Sequence, residues 1–157
     1  MPPPDARPSW LHVVSGHGDA VHPGPAGHRR TVTVRGSRCR TRSGLFSEWA
    51  AALRFPDYFG HNWDGFAECL ADTVRPTGRA PVPDGPLTIL VRDAEELLAD
   101  EPPRALGILL AVVDDLVATA AGAPPAILLL LVCPAGRLAT LRRRVGDAYS
   151  HRPRAAE

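Results

Sequence analysis

Residues 126–132 read AILLLLV and residues 87–91 read LTILV, and these two runs decide the fold class. A strand with one solvated face alternates apolar and polar side chains. A near-continuous apolar run suits instead a strand covered on both faces, as in a parallel sheet flanked by helices. Residues 31–35, TVTVR, alternate and stop at Gly36, which predicts another strand. Trp10, Leu11, Val13 and Val14 enclose His12 in a short apolar run, a candidate for one extra strand near the N-terminus.

Helical spacing fills the intervals. Ser43 is a candidate N-cap for a helix in which Leu45, Phe46, Trp49, Ala50 and Leu53 form one apolar face. Pro56 disfavours an α conformation in the residue before it, so this helix ends by Phe55. After a turn over 57–60, Asn62 is an acceptable cap for a second helix with Trp63, Phe66, Leu70 and Val74 facing inward. Residues 15–28 and 75–86, rich in Gly and Pro, read as loops. A short helix is predicted over 94–98 and a longer one over 104–120, with Leu106, Leu109, Leu110, Val113 and Val117 inward. A last helix over 136–149 carries Arg142, Arg143 and Arg144. Strands separated by helices imply an α/β layer structure: a small, mostly parallel three-stranded sheet with about four helices. The chain divides into an N-terminal extension (1–30), a central domain (31–133) and a C-terminal helix and tail (134–157).

The 157 residues, 45% apolar and 22% charged, fit one globular domain and argue against a disordered, collagenous or disulfide-scaffold chain. Three cysteines, an odd number without C-x-x-C spacing, suit a reducing compartment. The first residues, MPPPDARPSW, lack the pattern of a secretion signal, and the longest apolar run is too short to span a bilayer. The expected location is cytoplasmic, with no membrane partner and no cofactor.

The formal net charge of +1 is a cancellation. Residues 1–44 carry +5, residues 45–115 carry −8 and residues 116–157 carry +4. An acidic centre repels nucleic-acid phosphates and attracts a basic protein. Every basic residue is Arg and none is Lys, a composition that discounts arguments from single arginines.

With Trp63, Phe66 and Leu70 inward, Asp64, Glu68 and Asp72 follow at i, i+4 and i+8 along an outward stripe with no base among them. Like charges at this spacing destabilise a helix by about 0.2–0.5 kcal/mol per pair. Asp64, near the helix N-terminus, recovers part of that from the macrodipole. Tyr58, Phe59 and His61 precede the helix as an aromatic and polar rim. The stripe is either an ordinary solvated face or a contact surface.

Residues 55–70, FPDYFGHNWDGFAECL, closely resemble the signature of barstar-like proteins, the intracellular inhibitors of secreted ribonucleases. Beyond this segment the similarity is one of element order, over about Thr31 to Cys133. The resemblance implies an inhibitor, not an enzyme, whose acidic helix and preceding loop block the active site of a basic ribonuclease in a one-to-one complex. Tyr58 matches a contacting aromatic, Asp64 a contacting acid and Glu68 the acid that dominates binding in the prototype. Phe59 takes a second aromatic position and Gly60 the turn glycine. Asn62 and Ala67 complete the expected surface, and Asp114, or Asp115, lies on the helix where the family has a further acidic contact. Glu68 stands where the prototype has Asp, Phe59 lacks a phenolic hydroxyl, and Ala67 replaces a Trp; these departures leave open a different nuclease, another basic toxin enzyme, or a role as an interaction module. Cys69 matches a family cysteine and is read as packing.

Two other classes are weaker. His61, Asp64 and Glu68 as metal ligands or an acid–base pair lack a second cluster to complete a site. The histidines His12, His17, His22 and His28 match no ligand spacing. Nucleic-acid binding through Arg29, Arg30, Arg35, Arg38, Arg40, Arg42 and Arg142 to Arg144 lacks an aromatic platform or a recognised motif.

Overall fold

A computed structural model of the chain describes residues 8–16, 31–74, 87–118 and 127–153. Four strands, β1 (Leu11–Ser15), β2 (Thr31–Arg35), β3 (Leu87–Arg92) and β4 (Ile127–Cys133), form one sheet in the order β1-β4-β3-β2. All three pairings are parallel, with Ile89 opposite Leu129 at the centre. The helices are α1 (Arg42–Leu53), α2 (Trp63–Val74), α3 (Pro103–Ala118) and α4 (Leu138–Ser150). The α/β class and the parallel sheet are as the sequence implies.

The strand count is corrected from three to four. β4 would otherwise expose a row of backbone groups on its outer side, and β1 covers it in register from Leu11↔Leu129 to Ser15↔Cys133. Burial follows position in the sheet. Five of the six residues of central β3 are buried, while edge strand β1 alternates, with Leu11 and Val13 inward and His12 exposed. In β4, Leu128 and Leu130 are half-buried, so the two-sided burial read from AILLLLV is fuller in β3.

Some boundaries move for local reasons. Thr41, not Ser43, caps α1: its Oγ1 accepts the backbone N–H of Gly44 at 3.1 Å. α1 stops at Leu53 because Arg54 turns left-handed (φ 56°, ψ 50°), and the N–H of Phe55 closes back onto the carbonyl of Ala50 at 2.9 Å. The short helix expected over 94–98 is a single 3₁₀ turn, Ala94–Glu96. Asp93 and Leu98 flank it at positive φ, and the Leu98 N–H pairs with the Cys39 carbonyl at 2.7 Å. That bond pins the turn to the β2–α1 connection. α3 starts at Pro103, where a fixed φ and a missing N–H cost nothing. The 15–28 loop, beyond Ser15 and Gly16, and the whole 75–86 loop lie outside the described residues.

One hydrophobic cluster joins all of these elements. Phe46, Trp49, Phe66 and Leu70 from α1 and α2, Ile89 and Leu129 from the sheet, and Leu106 and Leu109 from α3 are almost fully buried. Trp10, Leu11 and Val13 from the N-terminal segment and Leu141, Val145 and Ala148 from α4 belong to the same cluster. β1 and α4 are therefore part of the core. They meet where the Trp10 and Tyr149 rings stand edge to face at 6.2 Å.

Candidate functional site: the loop before α2 and its acidic face

The loop between α1 and α2 is anchored by one aromatic and presents the next. The Phe59 N–H bonds the Pro56 carbonyl at 3.0 Å in a tight turn, and the Phe59 ring sinks into the core. It meets Phe46 at 5.8 Å and Phe55 at 5.3 Å, both edge to face. Its neighbour Tyr58 is 78% exposed, the one large apolar side chain so exposed among the described residues. His61, at φ 52°, lays its ring over Phe59 at 4.9 Å with a 32° tilt. The exposed tyrosine is thus carried on a braced turn.

Asn62 then starts α2. Its Oδ1 accepts the Gly65 N–H at 2.7 Å, and its backbone carbonyl accepts the Phe66 N–H at 2.9 Å. A Cβ at position 65 would lie 3.1 Å from Asn62 Oδ1 and 3.4 Å from the Phe59 ring, so glycine lets cap and anchor occupy the same turn. Phe66, Cys69, Leu70 and Ala71 face the core, and Asp64, Glu68 and Asp72 face solvent.

The ion pairs among the described residues join Arg40 to Glu96 and Asp100, and Arg152 to Asp114; none involves Asp64, Glu68 or Asp72. Among the described residues the stripe is a row of carboxylates without an ion-pair partner, about one helical turn apart. It also acts inward: the Cys69 thiol is raised above its ordinary range by burial, then by the negative fields of Asp72 and Glu68. A thiol held protonated is a poor nucleophile, which fits packing rather than reactivity.

Of the residues singled out from sequence, Tyr58, Gly60, Asn62, Asp64 and Glu68 lie exposed on this loop and helix, and Ala67 is half-buried beside them. Phe59 is buried, so it supports the surface from beneath. Asp114 is placed differently, since its carboxylate is engaged within the molecule. Oδ1 accepts from Trp10 Nε1 at 3.3 Å and from the Tyr149 hydroxyl at 3.1 Å, while Oδ2 meets the Arg152 guanidinium at 3.2 Å. Asp115 is exposed. Sequence reasoning passed over two residues here. Asp57 adds an exposed carboxylate next to Tyr58, readable from its place in a Pro-initiated turn, and Gly65 permits the close packing just described. No group of three or more His, Cys, Asp or Glu among the described residues is placed to hold a metal, and the His61 ring is committed to Phe59.

The family model for Barstar (barnase inhibitor) matches residues 29–131, about two thirds of the chain. The chain belongs to the Barstar family. Comparison with curated proteins finds no match. The Barstar match opens just before β2 and runs into β4, so it contains the anchored loop, α2 and α3. β1 and α4 fall outside it, yet they complete the sheet and the core. Barstar family membership implies a barnase-type ribonuclease inhibitor or an interaction module of that build, a family of inhibitors rather than enzymes.

Proposed function

We propose that this Barstar-family chain is a cytoplasmic inhibitor of a basic, secreted-type ribonuclease, and that it blocks the active site in a one-to-one complex through Tyr58, Asp64 and Glu68. The observation that carries this reading is the pair of exposed, unpaired carboxylates of Asp64 and Glu68 beside the exposed Tyr58. A ribonuclease cleft must be cationic to hold RNA phosphates, and unpaired carboxylates on a rigid helix are complementary to it. Tyr58 adds a large amphipathic contact at low entropic cost, of the kind enriched at binding hot spots. Gly60 lets the loop backbone approach closely, Asn62 caps the helix that carries the acids, and half-buried Ala67 leaves room beside Asp64 for a bulky group of the partner. No direct contact with nucleic acid and no membrane attachment is part of this role; no helix among the described residues is long and apolar enough to cross a membrane.

The deciding experiment is affinity capture from the native cell and its secretions with wild-type protein and with Glu68→Ala, followed by a nuclease assay of each captured protein. A basic nuclease retained by the wild type, lost with Glu68→Ala and inhibited at one-to-one stoichiometry is expected. An unchanged set of captured proteins would sink the reading.

A further inference from the structure

An open groove of about 510 Å³ lies between α3 and α4, with no lining residue from the acidic loop or α2. Its size falls within the range of small-molecule sites, and its walls are mainly apolar, with Pro103, Leu106 and Ala148 among them. Gly107 is needed for the closeness of the two helices: a Cβ there would stand 3.2 Å from the Ala148 carbonyl oxygen and 3.5 Å from the Arg152 Cα. α4 lies outside the Barstar match, so the groove exists because of the addition.

The polar groups around it are mostly of one sign. Arg104, Arg143, Arg144 and His151 line the groove, against the single acid Asp147. Arg144 Nη1 is buried and has no hydrogen-bond partner among the described residues, and burial lowers the guanidinium's pKa from its ordinary value. A buried donor left unpaired is costly, and a charged one more so. Arg144 also borders a smaller cavity of about 390 Å³, shared with Arg137, Glu95 and Glu96. There Glu95 Oε2 is likewise buried without a partner.

We propose that the α3–α4 groove binds a small amphiphilic anion, an apolar body with a carboxylate or phosphate head, with the head on Arg144 and the body against Leu106 and Ala148. The excess of basic groups selects the charge, and the apolar walls select the body. The exposed Arg104 and Arg143 add charged donors at the rim, and Arg144 Nη1, which is buried and unsatisfied, would gain a partner by turning outward to such a head.

The full chain is titrated with the fluorescent anion 8-anilinonaphthalene-1-sulfonate, and the bound probe is then competed with decanoate, decyl phosphate or uncharged decanol. Saturable one-to-one binding is expected, displaced by one or both anions at concentrations at least tenfold below those needed of decanol. The decanoate and decyl phosphate arms report which head is preferred. Arg144→Met should weaken probe binding at least tenfold without lowering the melting temperature, and Thr140→Trp, which fills the rim, should weaken it too. Equal displacement by decanol, or wild-type binding by Arg144→Met, overturns the proposal. A melting temperature lowered by Arg144→Met and restored by adding Glu95→Gln also overturns it, because Arg144 would then serve Glu95 instead.

Discussion

Trp10 Nε1 donates a hydrogen bond to Asp114 Oδ1 at 3.3 Å, joining residues that lie on opposite sides of the family-matched segment's boundary. The same carboxylate receives the Tyr149 hydroxyl and the Arg152 guanidinium, so one side chain of α3 gathers the N-terminal strand and the C-terminal helix. Arg152 also lies over the Tyr149 ring, 3.7 Å from its centroid.

Asp114→Ala leaves an indole N–H, a phenol and a guanidinium without their shared acceptor. All are partly buried, so a loss of about 2 kcal/mol is expected, measured by urea unfolding. Affinity for the proposed nuclease partner should change little once the protein is folded. A large affinity loss with unchanged stability would place Asp114 in the contact surface.

Asp64→Ala and Glu68→Ala should show the opposite pattern. Each is expected to cost about 2–5 kcal/mol of binding, the range for truncating one partner of a buried interfacial charge pair. Both are exposed; Glu68→Ala removes two like-charge pairs from the α2 stripe and should raise stability by about 0.2–0.5 kcal/mol per pair, whereas Asp64→Ala removes one pair but also the favourable macrodipole contact of the first turn, so its stability should change little. Titration against the captured nuclease and thermal melts separate the two effects. Association by the wild type should also slow as salt is raised.

Arg54 ends α1 in a left-handed conformation that disfavours side chains with a Cβ. Arg54→Gly should stabilise the protein by about 1 kcal/mol, read as a higher urea midpoint, because glycine adopts this geometry without the steric penalty. The gain should leave partner affinity unchanged.

Cys39, Cys69 and Cys133 are free and buried. None should react with a thiol reagent at neutral pH until the chain unfolds, which a stopped-flow titration with and without denaturant would show. Burial, then the Glu48 carboxylate, pushes the Cys39 thiol from 9.0 to about 12. In the unfolded chain this thiol ionises near pH 9 and in the folded one only near 12, so the unfolded state sheds its proton first. Folding stability should therefore fall as pH rises through that window, by about 1.4 kcal/mol per pH unit, and Cys39→Ala should flatten the decline.

Local chemistry made much of the fold readable. Two apolar runs marked β3 and β4, the 3.6-residue spacing of Leu45, Trp49 and Leu53 marked α1, and Asn62 before a periodic run marked the start of α2. The acidic stripe was equally legible, because burying Phe66 and Leu70 places Asp64 and Glu68 outside by geometry alone. Less legible were features set by a distant partner. Thr41 and Ser43 are both good caps, and the choice depends on where the preceding turn delivers the chain. Phe59 and Tyr58 are adjacent aromatics, and only the pocket formed by Phe46 and Phe55 decides which one is buried.

The sequence by itself thus determined the α/β class, the helix that carries the carboxylates and the family signature across the loop, all consequences of short-range periodicity and turn chemistry. Only the tertiary structure decided that β1 closes the outer side of β4, that Asp114 turns inward to Trp10, Tyr149 and Arg152, and that Arg144 lies beside a groove with its Nη1 buried and without a partner among the described residues. Each of these depends on groups that meet only after the chain has closed on itself, and neither spacing nor composition encodes which carboxylate a distant indole will reach.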